Sequence, residues 1–594
     1  MSCSTAEGRP SCARVARRVT RSLLVALCFV PFTGGRAQAP PSDVRPTGTT
    51  HCAGELITEI VVRSHPPSAH GAAARFYEQA SEMTTVHLAT TRPAVIRAWL
   101  LLSAGEPCNE RARAESERLL RAQPFIASAA IRVQPDGAGR ARLLVDVVDE
   151  LPLIVSGSIS RGTLSSIVLG TENLAGRGLL VSAGLSRGFA YRAGFGARAV
   201  WHGAFGRPQY VSIEAERLQH GDKLAFAYAE PLLTDIQRRA FHVSAGGESD
   251  FNYLRRNRGE EVALFTRRAF WDAGLVRRIG SMREGRTAGA LGVVLMGEDI
   301  RIGGGVVMVS DSGLVPAPDS ALVARYPDYG VARVALLSGV RRMRYLTVDG
   351  FDALQAQQDV GIGVQVGMLA GPSFWASRGE ADLFVSGDLY AGVGSPRSFL
   401  AAQLLAEARA NHASGRWSGA VSSTRLSWYA KAGDQWTTMA SVEGAALKKL
   451  SFPSQLSFRD GEGGVRGYED AAASGGGRAV MRLEGRRGLS QVTPRAAIAV
   501  ALFADAGKLW ARDAPYGVTT PVRGSLGVSL LGAYPAAGKR TYRLDFAFPL
   551  NPERGGSTFE VRLRSSDRTR GVWREPRDVT RTRTGALPAT LLKW

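Results

Sequence analysis

After the first forty residues, no stretch approaches the roughly eighteen consecutive apolar residues of a membrane-crossing helix, so helical spans are excluded from the rest of the chain. Cysteine is scarce, at 5 in 594 residues, and only Cys52 and Cys108 lie beyond residue 40. Neither has metal-ligand spacing, the 8 histidines are dispersed, and no H-E-x-x-H run or nucleotide loop occurs. Gly184-Leu185-Ser186-Arg187-Gly188 fits the G-x-S-x-G pattern of serine hydrolases. Leu179 to Ser186 reads as a strand with no helix after it, so the strand-turn-helix context of that nucleophile is missing. The sequence thus offers no catalytic residue, no metal site and no cofactor site, and it predicts a protein that is not an enzyme.

The N-terminus is more informative. Arg14, Arg17, Arg18 and Arg21 precede the apolar run Leu23 to Phe32 and small residues around Ala37 and Ala39, the pattern of a secretory leader over residues 1–39. Ala37-Gln38-Ala39 is the small-x-small site, although Pro40 disfavours that bond and the bond after Ala37 competes. Leu27 before Cys28 argues against lipidation. In an exported chain, Cys52 and Cys108 are candidates for a disulfide, which would stabilise its domain by about 4 kcal/mol in the chain-entropy view. Two free buried thiols are the alternative.

Residues 52–150 read as a small α+β domain. Gly54 to Val62 is a strand. Thr91 offers an N-cap and Pro93 a first turn to a helix that carries Ile96, Trp99 and Leu100 on one face and stops at Gly105. A second helix is capped by Asn109, continues through Ala112, Ser116 and Leu119, and ends at Pro124. Ile126 to Val133 and Arg140 to Val148 are strands about the turn Pro135-Asp136-Gly137. The order is β-α-α-β-β, with a further helix expected around Ala72 to Met83.

Residues 152–566 form a succession of short alternating segments separated by Gly, Pro, Asp and Asn, in a chain with 68 glycines and 21% charged residues. In Tyr542-Arg543-Leu544-Asp545-Phe546-Ala547-Phe548 the even positions are large and apolar and the odd ones polar or small. Phe559-Glu560-Val561-Arg562-Leu563-Arg564 repeats that period. Residues two apart share a face of a strand, so one face suits hydrocarbon and the other carries charge, as in a membrane barrel.

Late in this region stands Gly463-Gly464-Val465-Arg466-Gly467-Tyr468, followed by Glu484 in Met481-Arg482-Leu483-Glu484 and by Phe503-Ala504-Asp505-Ala506-Gly507. With these pieces in this order, the chain resembles the BamA/TamA superfamily of outer-membrane barrels, and residues 52–150 resemble one POTRA (polypeptide-transport-associated) domain. The resemblance implies a transmembrane antiparallel β-barrel of about 16 strands, preceded by the POTRA-like domain in the periplasm and starting with a first hairpin near Ile167 to Gly178. It implies that Val465, Arg466, Gly467 and Tyr468 form a loop folded into the lumen. Arg466 would pair there with Glu484 and Asp505 on the wall, Gly467 and Gly507 being the motif glycines. A guanidinium can fork onto two carboxylates where an ammonium cannot.

The function implied is insertion or translocation of proteins in the outer membrane of a Gram-negative-type bacterium. Partners would be unfolded outer-membrane or secreted clients, periplasmic assembly factors, and lipids including lipopolysaccharide-type phosphates. A dedicated two-partner-type pore for one client and a passive channel without clients are alternatives. The net charge of +21 suits lipid phosphates or a cation-lined interior, or a merely solvated surface. Export and the lack of an aromatic-basic module argue against nucleic acid. One feature departs from the family, whose members end on the last strand: here an Arg-rich extension, residues 567–594, follows. The assembly signal is therefore expected internally, at Phe559, Val561 and Leu563, with a periplasmic tail whose Pro588 makes it a poor strand.

Overall fold

The computed structural model describes residues 51–66, 90–160, 163–189, 192–218, 220–256, 260–280, 287–310, 313–377, 381–489, 496–534, 536–553, 556–567 and 575–583. The leader 1–39, the helix expected around Ala72 to Met83, and Pro588 lie outside them.

The small domain has strand β1 (Leu56–His65), helices α1 (Pro93–Arg97) and α2 (Glu110–Arg121), and strands β2 (Ile126–Pro135) and β3 (Arg140–Asp149). The sheet runs β1-β3-β2, with β1 parallel and β2 antiparallel to the central β3. Gly137 turns the β2–β3 hairpin at φ +95°, a backbone setting that costs glycine little. Ile96, Trp99, Leu119, Leu120 and Phe125 pack on Ile131, Val145 and Val147 to make the core. Cys52 and Cys108 are disulfide-bonded, their Cα atoms 5.2 Å apart, so the residues before β1 are tied to the start of α2. Asn109 caps α2 by accepting the Ala112 N–H at 3.1 Å.

The first helix is shorter than the expected Thr91 to Gly105. Thr91 does not cap it: its hydroxyl and its N–H both donate to Asp149, at 2.8 and 2.6 Å. At the other end, Leu101 N–H turns to Ser116 Oγ at 2.8 Å instead of continuing the helical ladder.

The barrel starts earlier than the expected hairpin, with β4 (Leu153–Ser160), so Ile167 falls in the second strand, β5 (Thr163–Thr171). It continues through β6 (Leu179–Phe189), β7 (Arg192–His202), β8 (Tyr210–Arg217), β9 (Asp222–Glu230), β10 (Arg239–Arg255) and β11 (Glu261–Ile279). Next come β12 (Ala288–Ser310), β13 (Gly313–Pro316), helix α3 (Ser320–Arg325), β14 (Tyr329–Asp349), β15 (Gln357–Ala376), β16 (Asp382–Ser395) and β17 (Ser398–Asn411). The last part holds β18 (Trp417–Ala432), β19 (Trp436–Lys448), two-residue strands β20 (Leu456–Ser457) and β21 (Ser474–Gly475), β22 (Gly477–Gly488), β23 (Ala497–Trp510), β24 (Arg523–Ala533), β25 (Arg540–Pro549) and β26 (Glu560–Asp567). A six-residue helix, α4 (Arg577–Thr582), follows.

These strands close into one antiparallel barrel, β26 lying beside β4, while β20 and β21 pair only with each other. Among the described residues twenty-one strands stand in the closed order, of which the four-residue β13 is a flap on β12. The count thus exceeds the sixteen expected. The reason lies in β4 to β9, which are only 8 to 11 residues long and are joined by short connections, so more strands fit into the same length than long outer loops would allow.

Alternation sets the two faces. Along β25, Arg543 and Asp545 are buried toward the lumen while Phe548 is 48% exposed on the outside. The exposed outer band includes Leu336, Leu502 and Leu563. The inner face is not uniformly polar: Val276, Val294, Met296, Leu337, Leu369 and Phe384 form an apolar cluster along β11 to β16.

The small domain rests on one mouth of the barrel. Asn173 Nδ2 donates to Thr91 Oγ1 at 2.8 Å, and Asn173 Oδ1 accepts the Gly178 N–H at 2.7 Å. Arg121 forks onto Asp359 at 3.0 and 2.9 Å, and Lys539 N–H donates to Glu150 at 3.0 Å. The loop between β19 and β22 enters the lumen from the opposite mouth, as the up-and-down strand order requires.

Candidate functional site

The chain between Lys448 and Gly477 must return to the adjacent strand, yet it is far longer than a hairpin turn needs. It folds on itself inside the barrel: Leu456 pairs with Gly475 and Ser457 with Ser474. Leu456, Phe458, Val465, Tyr468 and Ala471 pack against Val421, Leu447, Val480 and Leu509 of the wall. Val465 N–H donates to Phe458 O at 2.9 Å and so tightens the turn that presents Arg466.

Arg466 is buried. Its Nε and Nη2 each lie 2.7 Å from a different oxygen of Asp505, and its Nη1 lies 2.9 Å from Glu484 Oε2. The Arg466 N–H also donates to Asp505, at 3.3 Å. The guanidinium carbon stands 3.6 Å from the centre of the Phe503 ring, a cation–π contact that closes the remaining face. Phe503 and Asp505 are two apart on β23, so they share the inward face.

Glu484 is a hub. Arg543 donates to both of its oxygens, at 3.0 and 2.7 Å, and Arg486 to Oε1 at 2.8 Å. Arg543 also meets Asp545 and Ser529, while Arg486 continues to the carbonyls of Phe351 and Asp352 in the β14–β15 connection, at 3.1 and 2.9 Å. A second set binds the loop to β26: Arg562 reaches Asp460 at 3.0 Å and Glu469 at 2.9 Å, and Arg564 also pairs with Asp460. A third fixes its turn, since Arg482 donates to Gly464 O at 2.7 Å while pairing with Glu443 at 2.6 Å. Buried charges of one sign would be prohibitive. Here each guanidinium faces carboxylates or carbonyls that recover its lost hydration.

The neighbouring motif residues shape the seat. Gly467 has φ +86°, and a Cβ there would come within 3.1 Å of Pro549. Tyr468 donates its hydroxyl to Gly524 O at 3.0 Å. A Cβ on Gly507 would stand 2.6 Å from Val465 Cγ2, so the bare backbone at 507 admits the loop to the wall.

Sequence reasoning does not single out Arg486, Arg543, Asp545, Asp460 or Phe503 as partners of this loop. Alternation along β25 does place Arg543 and Asp545 on one inward face, which is the available signal. Phe559 precedes β26 and lies 5.0 Å from the Phe548 ring, and Val561 and Leu563 point outward, 46% and 60% exposed. Ser186 lies on β6, and the next described element is another strand, β7.

The tail corrects an expectation. Its described part, 575–583, is not a free periplasmic extension but lies in the lumen, where Arg478 forks onto Asp578 and Val579 joins the core of the loop. Opposite charges on the inward face draw it in.

No family model matches the chain, and no curated protein matches it by sequence. Among solved structures, CdiB from Escherichia coli is similar at 12% identity over 95% of this chain and 99% of that one, with a TM-score of 0.39. CdiB from Acinetobacter baumannii is similar at 10% identity over 93% and 97%, also with a TM-score of 0.39. BamA from Haemophilus ducreyi lacking POTRA domains 1–3 is similar at 11% identity over 85% of both chains, with a TM-score of 0.36. Similarity this loose carries no argument about activity. The likeness of this chain to the BamA/TamA superfamily stands on its own residues: a closed barrel, one small domain at its mouth, and Arg466 held between Glu484 and Asp505.

Proposed function

We propose that this protein is an outer-membrane barrel that inserts or translocates other proteins, with the POTRA-like domain on the periplasmic side. The observation that carries the reading is the lumen loop, buried and pinned to β22 and β23 through Arg466, Glu484 and Asp505. A barrel that rearranges around a client needs one defined resting state, and a buried, pinned loop supplies it.

The closing strands support the same reading. β26 and β4, which meet at the seam, have 8 residues each, against 19 in β11 and 23 in β12. Strands this short share few ladder hydrogen bonds, which lowers the cost of parting the wall there. An open edge in lipid leaves backbone groups unsatisfied until another strand supplies partners. An incoming client strand is such a partner. The small domain, joined to the barrel mouth by Arg121 on Asp359 and by Lys539 on Glu150, would receive an unfolded chain before it reaches the wall.

The test is proteomics of the outer-membrane and secreted fractions after depletion, with complementation by wild type or Arg466→Glu. Loss of many barrel proteins, restored by wild type and not by Arg466→Glu, is the expected result. Loss of a single exported protein would assign a dedicated transporter, and unchanged fractions would overturn the proposal.

A further inference from the structure

The lumen holds a second occupant. Beyond β26, the segment Glu575–Arg583 lies along the inner wall, with Asp578, Val579, Thr582 and Arg583 buried. Its partners come from well-separated parts of the barrel. Asp578 is gripped by both terminal nitrogens of Arg478 on β22, one of them at 3.0 Å, and accepts the Ser457 N–H of the loop at 3.3 Å. Arg583 reaches Glu407 at 3.5 Å and Leu405 O at 3.1 Å on β17, and Ser423 Oγ at 3.2 Å on β18. It also closes on Glu575 of its own segment at 2.7 Å, and Glu575 in turn pairs with Ser423. From the β11 side, Arg268 donates to Arg581 O at 3.1 Å. Val579 packs with Leu456, Phe458 and Val465 of the loop, and Pro576 lies so near Gly463 that a Cβ there would come within 2.4 Å of it.

We propose that Glu575–Arg583 is a plug carried in cis, which occupies the lumen beside the loop, holds the pore closed and leaves when the pore opens. Three features argue for a built seat. The charges are complementary residue by residue, acid on Arg478 and base on Glu407. The plug spans from β11 to β22, so it crosses the channel rather than lining one strand. It touches the loop at Gly463, Ser457 and the Val579 contact, so the two close the pore jointly. They differ in how they are held: the loop is continuous with a wall strand at each end, whereas among the described residues the plug joins the wall only through β26, so the plug is the part that can withdraw. Withdrawal leaves Arg478 and Glu407 on a wall that entering water can hydrate, which keeps the release reversible.

Single-channel conductance of the full chain in planar lipid bilayers tests this, with folding of each variant checked by heat-modifiable migration. Deletion of 575–583 and Asp578→Arg, which sets two cations face to face, should each raise the time-averaged conductance several-fold. Asp578→Arg combined with Arg478→Asp should return it toward wild type. Should the deletion not fold, Val579→Ser keeps every charge and should raise conductance in the same sense. Conductance like wild type in the folded variants, or a rise that the charge swap does not reverse, would overturn the proposal. The readout needs no client, so it stands or fails separately from the assignment of insertion or transport.

Discussion

Arg466 and Asp505 are joined by two parallel hydrogen bonds of 2.7 Å, one from each side of the guanidinium fork. Asp505 sits on β23 and Arg466 on the loop, so this pair fixes the loop in both position and rotation. Removing the cation takes the guanidinium fork from buried Asp505 and one of three guanidinium partners from Glu484. Arg466→Ala should therefore destabilise the loop-in state by about 3–5 kcal/mol. Arg466→Lys should recover little of it, because one ammonium cannot reproduce the fork. The check is limited proteolysis of the loop at increasing temperature; protection equal to wild type in the alanine variant would show that the network does not hold the loop.

Gly507 permits a steric test that leaves every charge in place. A methyl group there would meet Val465 Cγ2 at 2.6 Å. Gly507→Ala should push the loop from the wall at a cost of about 1–3 kcal/mol, typical of overpacking. The same proteolysis assay should show earlier cleavage between Lys449 and Gly476, and an unchanged pattern would mean that Val465 simply rotates aside.

The junction between the small domain and the barrel should respond to pH. Burial pushes the Asp149 carboxyl up to about 6, against the opposing hydrogen bonds from Thr91 and Ser64. The folded group therefore keeps its proton up to about pH 6, while an unfolded aspartate releases it near 3.8. Its contribution to stability is greatest below about pH 3.8 and declines by about 3 kcal/mol as pH rises through 6. Glu110 has the opposite sign. Burial raises it, but hydrogen bonds from Arg113, the Cys52 N–H and His51 outweigh that and bring it down to about 2, so its contribution is present above about 4.5 and lost as pH falls toward 2. Unfolding of the small domain within the full protein, followed from pH 3 to 7, should show greatest stability near pH 4. Asp149→Asn should abolish the decline between about 4 and 6; a decline that persists would place its origin elsewhere.

The Cys52–Cys108 bond ties the residues before β1 to the start of α2. Replacing both cysteines by serine should destabilise the small domain by about 4 kcal/mol in the chain-entropy view. Denaturant unfolding of the full protein should lose its early transition at lower denaturant while the barrel transition stays put. Movement of both together would show that domain and barrel unfold as one unit.

Leu502 stands 58% exposed on the outer face of β23. If that face meets hydrocarbon, Leu502→Arg should cost about 2–4 kcal/mol near the bilayer midplane. Refolding yield into lipid vesicles reads this directly, and a yield equal to wild type would exclude that face from the membrane core.

Local patterning carries much of this molecule. Period-two alternation is a property of neighbouring residues, so Arg543 and Asp545 can be assigned to one face and Phe546 and Phe548 to the other before any strand is paired. Asn109 is recognisable as a cap, and Gly137 as a turn, because a helix end and a hairpin are settled within a few residues. The order of Arg466, Glu484 and Asp505 points to a loop and its wall partners through resemblance, and the fold brings the three within hydrogen-bond distance.

What depends on long-range partners is hidden from the sequence. Thr91 has the chemistry of a cap, yet Asp149 and Asn173 compete for its hydroxyl, and the helix shortens. The number of strands depends on how tightly β4 to β9 are connected, which composition does not reveal. The apolar cluster of Val294, Leu337 and Phe384 requires neighbouring strands to be paired in register along the inner wall. Glu575–Arg583 reads as an ordinary charged tail until Arg478 and Glu407, far away in the chain, are set on the inward wall. By itself the sequence determined the alternation, the turns and the charges, all fixed by bonded neighbours; only the tertiary structure decided which charges meet, because barrel closure is what brings strands distant in sequence around one shared interior.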